Sequence, residues 1–447
     1  MKLQIEKVVY GGAGLAHLGH LPEGVDGDAA RGKAVFVPFC LPGETVEARS
    51  SAVAGTFAEA ELLVVIEPSG DRVEPGCIHF GQCGGCQLQQ GSYPAQLRIK
   101  AGILRETLER AGVTSLPELQ IHSAAPWGYR NRIRLRVVAT DDGVRIGYNR
   151  RGSNEFLPIQ QCPIAAPLLS RAAAEFLQMG ERDGTAARWL KAAAEVEFFT
   201  NADESRLQMI VFVREPLPGG FDAFCKRLQT AVPELTSAGV SILASASANR
   251  SRRTERPAAG ASWGAAGIPY AVAGVDYWVS RGGFFQVNRF LIEEMVGIVT
   301  ASRTGRLAWD LYAGVGLFSR ALTRGFARVV AAEGNETAAD DLARALKGKG
   351  QLAVCASTLD FLRNAVIQRE RPDLVVLDPP RAGLGAEICT LLARLKAPEL
   401  VYVSCDPVTF ARDVAQLVEA GYRMSELHLI DMFPQTFHQE SVAILKR

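Results

Sequence analysis

The sequence predicts a multidomain protein that ends in a doubly wound α/β sheet, and three observations carry that expectation. At 447 residues the chain is too long for one hydrophobic core and divides into about two to four domains. From residue 271 onwards, apolar strand-like runs (LAWDL, ARVVAAE, LVVL, VYVS) alternate with helical patterns such as ETAADDLARALKGKG and VTFARDVAQLVEAG. That is the βαβ rhythm of a parallel sheet. The strand-like runs end in residues with chemistry to offer: Gly314 and Gly316, Glu333, Asp378 and Cys405. In an open α/β sheet ligands bind outside the carboxyl ends of the strands, so these residues are expected around one crevice.

The elements follow in order. Residues 1–66 alternate apolar and polar in short runs broken by Gly-Gly, Leu-Pro-Gly and a Gly/Asp-rich stretch from Gly24 to Gly32, the pattern of a small oligonucleotide-binding β-barrel. Residues 67–270 form a central α+β domain that opens with a cysteine loop and includes a helix over KAGILRETLERAG. It also carries an arginine-rich hairpin near Gly143 and a flexible basic loop over residues 249–264. Residues 271–447 are the doubly wound domain. There is no internal repeat. Hydrophobic content of 48% beside 22% charged residues describes a globular protein, and no apolar run is long enough to span a membrane. The start MKLQIEKVVY lacks the apolar core of a signal peptide, so a reducing, cytoplasmic setting is expected.

The crevice reads first as a nucleotide site. LAWDLYAGVGLF breaks into Gly314-Val315-Gly316, and Glu333 stands 19 residues after Gly314. A glycine turn lets the backbone approach a nucleotide, and such an acid can hold ribose hydroxyls. Ser319 replaces the third glycine of the dinucleotide fingerprint, which suits S-adenosylmethionine better than a pyrophosphate. Asp378 precedes a rigid Pro-Pro-Arg step; Cys405 comes 27 residues after it, and Glu440 follows Cys405 by 35. A thiol and two acids in one crevice point to covalent catalysis. Alone, each would read as structure: cysteine is commonly buried, and Cys225, Cys355 and Cys389 are expected to be packing residues, with Cys40 packing or a free thiol. His438 reads as a hydrogen-bonding structural residue.

Together these segments carry a resemblance. DLYAGVG, LDPPRAG, VYVSCDP and HQES are similar, in order, to motifs of the RNA uracil-5-methyltransferases, and GGFFQVN (282–288) resembles the opening of their catalytic domain. CIHFGQCGGCQLQQ (77–90) resembles the iron–sulfur segment of the branch acting on 23S ribosomal RNA, while VVYGGAGLAH and AVFVPFCLPGETVEA resemble its TRAM domain. The resemblance implies a TRAM-like barrel and a Rossmann-like methyltransferase domain. It makes Cys405 the nucleophile and Glu440 the base, with Gln286, Tyr312, Gly314, Gly316, Glu333 and Asp378 contacting S-adenosylmethionine. Leu317 and Thr358 depart from some members' pattern.

Cys77-x5-Cys83-x2-Cys86, with Cys162 downstream, suits a four-thiolate site for zinc or an iron–sulfur cluster. Zinc ribbons usually pair two C-x2-C knuckles and this chain has one; the resemblance implies a [4Fe–4S] cluster on all four. Arg130, Arg132, Arg134 and Arg136 alternate along one strand face, with Arg145, Arg150 and Arg151 after them. Four like charges there need a counter-charge, and an RNA backbone would supply it. The expected partner is RNA, 23S rRNA ahead of tRNA, and no protein partner is implied. A non-catalytic ribosome-assembly factor on the same scaffold would be expected to have lost Cys405 or Glu440.

Overall fold

The computed structural model describes residues 1–18, 32–53, 57–141, 143–182, 184–214, 217–243, 258–300 and 302–447. Its C-terminal sheet has eight strands in the order Gln351–Cys355, Phe326–Glu333, Gly305–Leu311, Leu374–Leu377, Glu399–Ser404, Glu440–Lys446, Arg423–Ile430 and Leu119–His122. The first five are mutually parallel, and Glu440–Lys446 inserts antiparallel to both its neighbours. Helices cover both faces, so the central strands read as unbroken apolar runs; every residue of Leu374–Leu377 is buried. Side-chain alternation divides the core in two. Leu307, Trp309 and Leu311 face one cluster, and Ala308, Val329 and Ala331 the other.

Three crossover helices start on side-chain caps. Asn335 accepts from the Ala338 N–H at 3.2 Å and Ser357 from that of Asp360 at 3.1 Å. Asp406 accepts from the N–H groups of Val408 and Thr409, both at 3.0 Å, with Pro407 beginning its helix. These short polar residues satisfy amide donors that the first turn leaves orphaned, and they fix where each strand end turns into helix.

Residues 2–67 supply a six-stranded sheet of their own, and residues 132–264 a seven-stranded sheet with the helices Pro167–Arg182, Gly184–Ala192 and Phe221–Ala231 packed on it. A hairpin, Gly267–Val272 with Val275–Ser280, leads into the C-terminal layer. Several expectations change here. The helix Tyr93–Arg110 and the strand Leu119–His122, both inside the expected central segment, pack in the C-terminal core, where Leu104, Leu108 and Leu119 join Trp309 and Tyr402. Residues 258–264 are a strand paired with Leu235–Ile242, not loop, and the remainder of that expected basic loop lies outside the described residues. Most of the Gly24–Gly32 stretch does too. Cys40, Cys225 and Cys389 are buried as expected, but Cys355 is exposed because its strand is the sheet edge.

The arginine strand is also different. It begins at Arg132, and its charges find partners inside the protein. Arg132 pairs with Glu197 at 2.6 Å and Arg134 with Glu195, both acids on the adjoining strand Ala193–Thr200. Their guanidinium groups lie over Phe199 and Phe212 at 4.2 and 3.7 Å. Arg136 donates to Asn149 Oδ1 at 2.9 Å, and Arg130 Nε to the Arg132 carbonyl at 2.9 Å. Glu197 and Glu195 thus offset two of the four charges, while Arg130 and Arg136 bond here to uncharged acceptors.

Candidate active site

The order of the parallel strands reverses between Gly305–Leu311 and Leu374–Leu377, and a crevice opens at such a switch point. Tyr312 leaves the first of these strands with φ 64°, and Gly314 and Gly316 follow at 56° and 89°. This left-handed region favours glycine, so only the tyrosine is strained. A Cβ at Gly314 would meet nothing within 4 Å, so open space lies before this turn. Glu333, ending the neighbouring strand, accepts from the Gly314 N–H at 2.9 Å and from the Asn335 N–H at 2.6 Å. Its carboxylate is thus held at the turn by two amides. The Tyr312 hydroxyl is raised by burial and hydrogen bonded to Thr358.

Across the switch point, Gln286 Nε2 donates to Asp378 Oδ2 at 3.4 Å, while the Gln286 carbonyl accepts from Asn131 Nδ2 at 2.8 Å. Two residues 92 positions apart therefore meet at one strand end. Burial, then the charge of Asp310, raises Asp378.

Cys405 follows the strand Glu399–Ser404, whose Ser404 is in register with Ser441 of the antiparallel strand beginning at Glu440. Cys405 and Glu440 therefore flank the last pair of that ladder, close enough for each carboxylate or thiolate charge to act on the other. Burial first, and then Asp378, pushes Glu440 well above the usual carboxylate range. The Cys405 thiol is pushed up to about 12 by burial, Glu440 and Asp378, against the lowering pull of Arg381 and its own amide. Arg381 Nη2 lies 3.3 Å from both ring nitrogens of His438. Burial and then the Arg381 charge lower His438 to about 4, so its imidazole is neutral.

The segment leading to Glu440 is held by two elements, the helix Tyr93–Arg110 and the cysteine loop. Lys100 Nζ, fully buried on the helix Tyr93–Arg110, pairs with Asp431 Oδ1 at 2.5 Å and donates to the Phe433 carbonyl at 2.9 Å. Gln96 exchanges bonds with Gln435, donating to its Oε1 and accepting its N–H, both at 2.9 Å. From the cysteine loop, the N–H groups of Gln87 and Leu88 donate to the Gln435 carbonyl at 3.1 and 3.0 Å.

Cys77, Cys83, Cys86 and Cys162 converge. Cys86 lies within electrostatic reach of the other three, and Cys162 within reach of Cys83 and Cys77. Burial raises Cys83, Cys86 and Cys162. The loop is pinned to the arginine hairpin by the Arg151 N–H to the Gln82 carbonyl at 2.8 Å. No group of three or more such side chains among the described residues closes around a single metal ion.

Sequence reasoning overlooked Asp310, although it lies in the quoted run DLYAGVG. It is fully buried at its strand end, accepts a bond from Ser319 Oγ, and is raised to about 7, chiefly by burial. Ser319 thus uses the third-glycine position to hold an acid. Lys100, Gln96 and Tyr10 carried no local signal.

Comparisons with known proteins agree with this geometry. The profile of the tRNA (Uracil-5-)-methyltransferase family matches residues 338–447. The chain is 31% identical over 457 residues to an uncharacterized RNA methyltransferase of Aquifex aeolicus, covering 100% of this chain and 98% of that one. It is 32% identical over 463 residues to the 23S rRNA (uracil(1939)-C(5))-methyltransferase of Chromohalobacter salexigens, covering 100% and 89%. Among solved structures, the tRNA (uracil-54, C5)-methyltransferase of Pyrococcus abyssi, in complex with S-adenosyl-L-homocysteine, superposes with a TM-score of 0.74 at 26% identity over 100% of both chains. With relatives matched end to end, the chain belongs to the RNA uracil-5-methyltransferase family.

Proposed function

We propose that this protein converts a uridine of 23S rRNA to 5-methyluridine, with Cys405 as nucleophile and Glu440 as base. What supports the reading is that Cys405 directly follows, and Glu440 begins, two paired antiparallel strands, with Glu440 and Asp378 both near enough to act on the thiol. C5 of uracil is a poor nucleophile. Addition of the Cys405 sulfur to C6 makes an enolate with electron density at C5, which splits one hard step into easier ones. S-adenosylmethionine, when bound, supplies the electrophilic methyl group. Glu440 then removes the C5 proton, the Cys405–C6 bond breaks and the ring regains its double bond. The target base must leave its stack to reach the thiol.

The residues fit that cofactor: the turn that begins at Tyr312 faces open space at Gly314 with Glu333 held against it, Gln286 meets Asp378 at the neighbouring strand end, and Gly316 caps the following helix. The resemblance and the single C-x2-C knuckle among the four cysteines support a [4Fe–4S] cluster, in which each thiolate would bind a different iron. The proposal keeps a TRAM-like barrel over residues 1–66, a cluster-bearing RNA-binding unit and a methyltransferase unit. Residues 93–122 move to the last of these. An RNA substrate and four reduced thiols go with a cytoplasmic setting. Relatives named as 23S rRNA enzymes favour ribosomal RNA. The likeness to a tRNA enzyme supports a second reading, in which only the substrate changes. Mapping 5-methyluridine in the rRNA and tRNA of a deletion strain, complemented with wild type or Cys405→Ala, tests both. The rRNA mark should vanish and return only with wild type; return with Cys405→Ala overturns the mechanism, and loss of a tRNA mark alone selects the second substrate.

A further inference from the structure

The N-terminal sheet reaches into this site through one turn. Strands Lys7–Val8 and Ala13–His17 are joined by a tight connection, closed by the Gly12 N–H to the Val9 carbonyl and the Val9 N–H to the Ala13 carbonyl, both at 2.9 Å. Gly11 and Gly12 take φ of 102° and 86°, which the turn requires. Tyr10 stands at its tip. Its hydroxyl donates to Asp406 Oδ2 at 3.0 Å, across 396 residues of sequence. Asp406 is the residue after Cys405, and its other oxygen caps the following helix. The Tyr10 ring packs edge-on against Phe437, with centroids 5.3 Å apart, and Phe437 lies 4.1 Å from His438, two residues before Glu440. The Phe437 N–H also points to Gln87 Oε1 at 3.4 Å. Burial and Asp406 raise the Tyr10 hydroxyl, so it remains a donor at any working pH.

We propose that Tyr10 is a positioning residue of the catalytic site, its hydroxyl fixing the Cys405–Asp406 turn while its ring braces the Phe437–Glu440 segment. The N-terminal sheet thereby sets the relative placement of nucleophile and base. The inference rests on the roles assigned above to Cys405 and Glu440. Two segments brought to the crevice by different strands need a common brace, and Tyr10 touches both.

The test compares wild type with Tyr10→Phe, which deletes the donor and keeps the ring. The expected result is a kcat for RNA methylation lower by about 5- to 10-fold, the worth of one hydrogen bond held in the transition state, with KM for RNA changed by less than about twofold. Covalent trapping by RNA carrying 5-fluorouridine should slow by the same factor, with the thermal midpoint unchanged. A Cβ at Gly12 would stand 2.8 Å from Gln87 Cβ, so Gly12→Ala displaces the turn. It should lower kcat at least as much, and adding Tyr10→Phe to it should cost nothing more, since both act through one contact. A rise in KM alone, a fall in thermal midpoint that accounts for the lost activity, or unchanged kcat and trapping rate would each overturn the proposal. If wild type itself forms no adduct, the nucleophile assignment fails first and the Tyr10 proposal falls with it; an adduct formed equally fast by both proteins refutes Tyr10 alone.

Discussion

Cys405 sits where a thiol is hard to ionise. Burial, Glu440 and Asp378 together push it up to about 12, so the free protein holds it protonated at neutral pH. Alkylation of Cys405 by iodoacetamide in the free protein should therefore be slow at pH 7 and still rising at pH 9, because only the thiolate reacts. A plateau below pH 8.5 would contradict this. Asp310 gives a second test. Its carboxyl rises in the fold from 3.8 to about 7, so the folded state prefers it neutral. That contribution to stability is complete below pH 4 and is lost as pH climbs through 7, at most about 4 kcal/mol. Denaturant unfolding should show wild type losing stability between about pH 4 and 7 relative to Asp310→Asn and levelling off above that, and parallel curves would sink the assignment. Both residues were in view in the sequence, but their environments were not: the letter D does not reveal that Ser319 and a closed sheet surround Asp310.

Among the elements, those with local signals were legible. Uninterrupted apolar runs gave the central strands, and caps such as Asn335 and Asp406 mark where helices begin. What could not be read was pairing across distance. The arginine strand announced four charges, yet the acids that neutralise Arg132 and Arg134 lie 65 and 61 residues further on, on a strand whose neighbourhood only the fold decides. The grip of Tyr93–Arg110 on the segment before Glu440 is of the same kind. Lys100 and Asp431 are both fully buried, so removing one partner leaves an uncompensated charge. Lys100→Met should cost about 3 kcal/mol or more by denaturant unfolding. In the surviving folded protein, kcat should drop as the 431–440 segment loses its anchor. A loss under about 1 kcal/mol would mean that the pair is not held as described.

At the scale of the molecule, the sequence indicated three units and their order, whereas the sheet reaches back to claim Leu119–His122 as its edge strand. Four residues in an edge strand carry too little pattern to betray which sheet they join. The same long-range docking ties the cysteine loop to the segment that leads to Glu440, since Gln87 and Leu88 hang on the carbonyl of Gln435. Protein purified without oxygen should carry about four irons per chain. Cys86→Ser should lose the iron and lower the thermal midpoint; stoichiometric zinc without iron would refute the cluster.

The central claim is the covalent bond between Cys405 and uracil C6, and its most direct test is to trap it. RNA with 5-fluorouridine at the target retains fluorine at C5, which no base can remove as a proton, so the reaction halts after methyl transfer. Mass spectrometry of the digested complex should find the methylated nucleotide on the peptide containing Cys405, with no adduct from Cys405→Ala. Glu440→Gln should accumulate the same bond with ordinary RNA. Undiminished methylation by Cys405→Ala, or an adduct mapped to another cysteine, would contradict the account.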